Sequence, residues 1–257
     1  MKAPSVLITG TDTAVGKTFL TALLLSSLVR NNLRVAAFKP VETGCATGDS
    51  GELVAGDANI LCSFANSNQS LEDVVFYKFR KALAPAVAAD KDGVKIDVEL
   101  VKKRIERFAS KFDVLVVEGA GGLLVPLSWE CNYAQLAKQC NMSIIIVVGS
   151  RLGCLNHAAL TFEVCRNKNL DVIGYVFNDL FSEGSGDLTQ HDEALLTNRV
   201  SLAKIAHLYG IKEICYLPYI SGGLPLGSPE KVHRLSGVVG PLAELICAKA
   251  KSSEVYR

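Results

Sequence analysis

The chain has 257 residues, with 27 lysines and arginines against 26 aspartates and glutamates, and a formal net charge of +1. That balance, without a broad basic stripe, argues against nucleic acid or an anionic membrane as partner, and the longest strongly apolar run, residues 144–149, is far too short to cross a bilayer. At 49% hydrophobic and 7% aromatic, rich in Val, Ile, Leu and Ala, the composition suits one large α/β domain with helices on both faces of a parallel sheet.

Strand and helix patterns alternate along the chain. Residues 5–9 read as a first strand, and Lys17–Arg30 as a helix with Leu20, Leu23, Leu24 and Leu28 on one side. A second strand over 34–38 leads into a loop over 44–56 rich in Gly, Ser and Thr. Helices are expected over 57–64 and, with clear amphipathicity, over 97–111. Residues 114–117 form an apolar strand, followed by the turn Glu118-Gly119-Ala120-Gly121-Gly122. Next come a short helix over Tyr133–Gln139, a buried strand over 144–148, a helix over 155–168 and a strand over 172–177. Residues 181–190 read as a polar loop, 198–209 as a helix and 213–216 as a short strand. Residues 230–249 are mostly helical, so 229–257 is expected to be a helical extension of a single domain over 1–257. Such alternation implies right-handed crossovers and a doubly wound, mostly parallel sheet, with ligands beyond the carboxyl ends of the strands.

The chemistry-bearing motifs fall at those ends. Gly10-Thr11-Asp12-Thr13-Ala14-Val15-Gly16-Lys17-Thr18 joins the first strand to the first helix. Backbone N–H groups of such a turn, and the unpaired N–H groups opening the helix, favour phosphate oxygens. Lys17 is expected to reach the outer phosphates and the Thr18 hydroxyl to ligate Mg2+. The spacing departs from the strict pattern: five residues separate Gly10 and Gly16, and Thr11 stands at the first glycine's place. Lys39, in Phe38-Lys39-Pro40-Val41-Glu42-Thr43-Gly44, ends the second strand beside that loop. It is either a solvated edge lysine or a second cation beside the triphosphate, aimed by the stiff Pro40. Glu118, closing an apolar strand, fits a metal-binding acid, and the glycines after it let backbone approach a ligand. Asp57 opens a helix and reads as an N-cap, with a place near the metal only if the fold brings it across.

Other polar residues carry less. His157, His191, His207 and His233 lack metal-ligand spacing, and Trp129 reads as a packed or interface residue. Cys154 at a strand-to-helix turn reads first as a small space-filler. The eight cysteines form no CxxC pair and read as reduced thiols. With the first strand starting almost at the first residue and leaving no room for a cleaved leader, a cytoplasmic protein is expected.

Together these motifs resemble the dethiobiotin synthetase family. The match takes in Gly10 to Thr18, Lys39-Pro40-Val41, Glu118 to Gly122, Gly149 with Leu152-Gly153-Cys154 and Asn156-His157-Ala158, Asn178-Asp179 and Pro218, about residues 4–220. The unusual glycine spacing is that family's own variant. The resemblance implies a P-loop NTPase-like fold. It also implies Mg2+ as cofactor, with ATP, CO2 and 7,8-diaminopelargonate as substrates, and dethiobiotin, ADP and phosphate as products. It implies Lys39 and Lys17 as catalytic residues, and Thr18, Asp57 and Glu118 as metal ligands. Nucleotide contacts would come from Thr13, Ala14, Val15, Gly16, Lys17, Thr18 and Phe19, from Asp57, Glu118, Gly119, Ala120 and Gly121, and from Asn178, Asp179, Pro218, Tyr219 and Ile220 around the adenine. Thr43 would touch the diamine. The implied assembly is a homodimer in which Gly153, Cys154 and Asn156 reach the substrate's carboxylate end from the neighbouring subunit. One departure is Ala84-Pro85-Ala86, where relatives often carry Ser-Pro-His. Two rivals remain. A partitioning or positioning ATPase would usually carry another lysine before Lys17 in the loop, and none is present. A cobyrinate-type synthetase would need a glutaminase module for which no chain remains.

Overall fold

The structure, a computed structural model, describes residues 3–180, 188–220 and 228–254. Seven parallel strands form the central sheet: β1 (Ser5–Gly10), β2 (Val35–Thr43), β3 (Val75–Phe79), β4 (Val114–Gly122), β5 (Ser143–Gly149), β6 (Val172–Asn178) and β7 (Glu213–Leu217). Their spatial order is β7-β6-β5-β1-β4-β2-β3. β1 lies at the middle, and the chain leaves it for β2 on one side and later returns to β5 on the other. That reversal opens a crevice at the carboxyl end of β1. β1 and β5 are buried along their whole length, which is why both are near-continuous Val/Ile/Leu runs rather than alternating patterns.

Ten helices flank the sheet among the described residues: α1 (Lys17–Arg30), α2 (Gly56–Phe64), α3 (Leu71–Val74), α4 (Pro85–Asp92), α5 (Val98–Lys111), α6 (Tyr133–Gln139), α7 (Cys154–Asn167), α8 (Leu188–Leu208), α9 (Pro229–Leu235) and α10 (Gly240–Glu254). Two apolar layers result. On one face α1 and α2 pack with Val232 of α9 and Leu242, Ala243 and Ile246 of α10. On the other, Ala88 and Ala89 of α4, Val101, Ile105 and Phe108 of α5, and residues of α6, α7 and α8 cover Leu7, Leu115, Ile144 and Phe177. No described helix is long and apolar enough to cross a membrane.

Several expectations are corrected. β2 runs on to Thr43, because beyond Phe38 it exchanges its partner β4 for β3, an edge strand the sequence reading did not identify. β4 continues through the expected turn to Gly122, because Glu118 and Gly122 pair with Ile8 and Gly10 of β1. The 44–56 loop contains a small antiparallel pair, Ala46–Thr47 with Leu53–Val54. α4 was not foreseen as an element, since its alanine-rich sequence lacks a strong apolar stripe. α8 starts at Leu188 rather than at 198. The rest of the expected 181–190 loop, 181–187, lies outside the described residues. The C-terminal helix is broken at Ser236–Val239, where a tighter turn precedes the Gly240-Pro241 start of α10.

Candidate active site

The loop between β1 and α1 is shaped by two left-handed residues, Ala14 (φ 54°) and Gly16 (φ 92°). Gly16 is the N-cap of α1 and supplies no side-chain cap, so the helix opens with N–H groups free to meet an anion. A side chain at Gly16 would lie 2.2 Å from Asn178 Nδ2. The Lys17 ammonium folds back across the loop and donates to the Asp12 carbonyl at 3.1 Å. Burial depresses its pKa to about 8; Glu118 opposes that fall and the neighbouring Lys39 adds to it.

Lys39 leaves β2 into the same space and is only 4% exposed. Its Nζ lies 2.6 Å from Asp57 Oδ2 and 2.6 Å from Glu118 Oε1. Burial works against this charge, but the two carboxylates outweigh it and hold the lysine above its ordinary pKa. The Thr18 hydroxyl donates to the same Glu118 Oε1 at 3.0 Å. Glu118 is fully buried, and its second oxygen, Oε2, has no hydrogen-bond partner. The fold therefore does bring Asp57 across to Thr18 and Glu118.

Glu42, which the sequence reading passed over, makes that possible. Its carboxylate accepts from the Asp57 N–H and the Ala58 N–H, each at 2.9 Å, and so caps α2. Burial raises its pKa, against the pull of Lys39 and the two N–H donors. Strict strand alternation would put Lys39 and Glu42 on opposite faces. Val41, however, joins Ala36 and Phe38 in one apolar layer, so the alternation slips at Pro40 and both charged residues line the cavity. A carboxylate three places beyond the lysine, across a proline, was the available signal.

The cavity holds about 760 Å3. Thr13, Ala14, Gly16, Lys17, Thr18 and Phe19 form one wall. Lys39, Glu42 and Thr43 of β2, Asp57 of α2, and Glu118, Gly119, Ala120 and Gly121 of β4 line the rest. Ala84 and Pro85 close one end, while the Ala86 side of α4 faces an adjoining groove with Trp129. No cluster of three or more His, Cys, Asp or Glu side chains suited to a metal ion occurs among the described residues.

Residues 4–222 match the family model described as an AAA domain. The chain is 36% identical to the ATP-dependent dethiobiotin synthetase BioD of Thermodesulfovibrio yellowstonii over 83% of its own length and 88% of that protein's. It is 39% identical to the protein of the same name from Aeromonas salmonicida, over 76% and 84% of the two chains. The chain belongs to the dethiobiotin synthetase family. The MinC:MinD cell division protein complex of Aquifex aeolicus superposes with a TM-score of 0.61 over 96% of both chains, at 17% identity. At that identity the likeness concerns the P-loop fold alone.

The remaining residues implied by likeness to dethiobiotin synthetases lie outside the cavity wall. Asn178 is buried at the end of β6, and its amide donates to the Val15 carbonyl at 2.9 Å, latching the loop from behind. Val15 itself points into the core. Asp179 donates its N–H to the Leu217 carbonyl, and Pro218, Tyr219 and Ile220 continue from β7 beside it. These form a separate patch at the carboxyl ends of β6 and β7. Gly153 (φ 90°) opens α7, with Gly153 and Asn156 exposed. Cys154 is 2% exposed, and burial raises its thiol pKa, so its side chain is a core filler and only its backbone is at the surface turn. Arg151 pairs with Asp12, and His157 Nδ1 lies 3.7 Å from the same carboxylate. The start of α7 is thereby tied to the phosphate loop.

Proposed function

We propose that this protein forms dethiobiotin from 7,8-diaminopelargonate and CO2 with the hydrolysis of ATP to ADP and phosphate. The observation that carries the reading is the meeting of Lys17, Lys39, Thr18, Asp57 and Glu118 in one cavity, in a chain of this family. One amine of the substrate captures CO2 as a carbamate. The carbamate oxygen attacks the γ-phosphorus and displaces ADP, and the second amine closes the ring on the resulting mixed anhydride, expelling phosphate. Phosphoryl transfer asks for charge neutralisation more than covalent help. Lys17 and the N–H groups at the start of α1 neutralise the β- and γ-phosphates. Lys39 neutralises the carbamate and the migrating phosphoryl group as their charge develops. Thr43 and the Ala84-Pro85 end of α4 shape the diamine's side of the cavity. Ring closure is intramolecular, so holding both amines in place can remove roughly 7–11 kcal/mol of barrier.

A divalent ion fits the donor set. Thr18 Oγ1 and the Asp57 and Glu118 carboxylates are hard oxygen donors, and Glu118 Oε2 is a buried acceptor without a partner. These residues would hold Mg2+ together with phosphate oxygens and water, and the ion would supply charge stabilisation on the β- and γ-phosphates. Asn178 and the backbone of 218–220 would hold the adenine. We further propose a cytoplasmic homodimer. The α7 start supports it: Leu152 (101%) and Leu160 (59%) are exposed beside Gly153 and Asn156, an apolar surface suited to a second copy. All eight cysteines are free thiols, which suits a reducing compartment.

The test is phosphate release from ATP with Mg2+ and bicarbonate, with and without 7,8-diaminopelargonate. Release that depends on the diamine, with dethiobiotin formed in equal amount, is expected. Hydrolysis indifferent to the diamine, but stimulated by DNA or lipid, would favour a positioning ATPase instead.

A further inference from the structure

Lys39 makes both of its charged contacts with residues assigned to the metal. Its Nζ sits 2.6 Å from Asp57 Oδ2 and 2.6 Å from Glu118 Oε1, and Glu118 Oε1 also takes the Thr18 hydroxyl. An ammonium therefore stands where the three oxygen donors converge. We propose that Lys39 is a resident counter-ion: it neutralises the metal's two carboxylates until the metal arrives with ATP, and then gives them up. The inference rests on the dethiobiotin synthetase reading of the site and adds an order of binding to it.

The physical case is one of charge. Glu118 is fully buried, and a buried carboxylate needs a cation close by. Lys39 meets that need before any ligand enters. Lys17 is buried on the same side and is sensed by both Asp57 and Glu118. A free divalent ion would thus approach two carboxylates that Lys39 already pairs and whose charge Lys17 offsets from further away, and would have to displace Lys39. ATP changes the balance. Its phosphates bring negative charge that both lysines can take, leaving Asp57 and Glu118 to the ion. The metal then binds tightly only as its nucleotide complex. Lys39, released from the carboxylates, turns to the oxygens of the migrating phosphoryl group.

The unpartnered Glu118 Oε2 is the second sign of this exchange. Oε1 is shared by Lys39 and Thr18, while Oε2 has no hydrogen-bond partner. A buried acceptor left without a donor is costly unless another state of the site uses it.

The experiment is Mn2+ binding, read by electron paramagnetic resonance, with no diamine present. Wild type, Lys39→Met and Lys39→Arg are each titrated without nucleotide, and wild type also with a non-hydrolysable ATP analogue. Wild type and Lys39→Arg should bind Mn2+ weakly without nucleotide. Lys39→Met should bind it about tenfold tighter or better, since the competing charge is gone. The analogue should tighten wild-type binding by a similar factor or more. A gain of metal affinity cannot come from a damaged fold, which separates charge competition from a merely structural role. Should Lys39→Met not fold, Lys39→Gln, which keeps a polar side chain and removes the charge, takes its place. Mn2+ bound as tightly by nucleotide-free wild type as by Lys39→Met, or no tighter with the analogue, overturns the proposal. That outcome would leave diamine-dependent product formation, and with it the proposed activity, untouched.

Discussion

Lys39 and Lys17 differ in what their loss should remove. On the proposed mechanism Lys39→Ala deletes a charge that acts on the developing transition state, so turnover should fall by about 10²–10³ while nucleotide affinity changes little. Steady-state rates beside fluorescent-nucleotide binding would show it; wild-type turnover would take Lys39 out of the mechanism. Burial pushes the Lys17 ammonium down to about 8, and phosphate favours its charged form. Nucleotide binding should therefore take up a proton above that pH and weaken by about tenfold for each unit further. Calorimetry in buffers of different ionisation heat reads both effects. The sign for stability is opposite. The folded chain binds fewer protons at Lys17 than the unfolded chain between about 8 and 10.5, so this lysine lowers stability at neutral pH and the penalty fades as pH rises through that window. Much of this was legible in the sequence, because Gly16-Lys17-Thr18 follows the first apolar run, and Lys39-Pro40 and Glu118 each close an apolar run even though their strands continue past them. What could not be read was which partners these side chains take. The pairing of Lys39 with Asp57 and Glu118 spans 18 and 79 residues of chain, and only the crossover of β2 beside β4 brings them together.

At the scale of elements, the decisive join is between β2 and α2. Glu42 accepts two N–H groups at the start of α2 and thereby fixes the first turn that carries Asp57. Glu42→Ala should cost about 1–2 kcal/mol of stability through the lost cap. It should also raise the Mg2+ concentration needed for half-maximal activity, with Glu42→Gln intermediate. Thermal unfolding and Mg2+ titrations of the rate would check this; unchanged metal dependence in Glu42→Ala would mean that Asp57 is held by other means. The elements that sequence patterns revealed were those with a strong period, such as the helix capped by Asp97, whose carboxylate accepts from Leu100 N at 3.0 Å. Among those it missed were β3, α3 and α4. β3 is a short edge strand whose three middle residues are only partly buried, so neither alternation nor a continuous apolar run marks it. α4 buries chiefly small residues, Ala86, Ala88 and Ala89, whose helical pattern is weak.

For the molecule as a whole, the fold alone does not choose the activity, since the MinC:MinD cell division protein complex shares it at 17% identity. The choice comes from membership of the dethiobiotin synthetase family and from the cavity's two lysines. The C-terminal segment, expected only as an extension, is part of the core: Val232, Val239, Leu242 and Ile246 are fully buried in the layer that also holds α1, the helix that opens at the phosphate loop. The most direct test of the central claim is a rapid-quench turnover with oxygen-18-labelled CO2, ATP, Mg2+ and 7,8-diaminopelargonate. A carbamate oxygen that attacks the γ-phosphorus leaves one label in the released phosphate and one in the ureido carbonyl of dethiobiotin. Phosphate released without label while dethiobiotin is formed, or no dethiobiotin at all, would contradict the account.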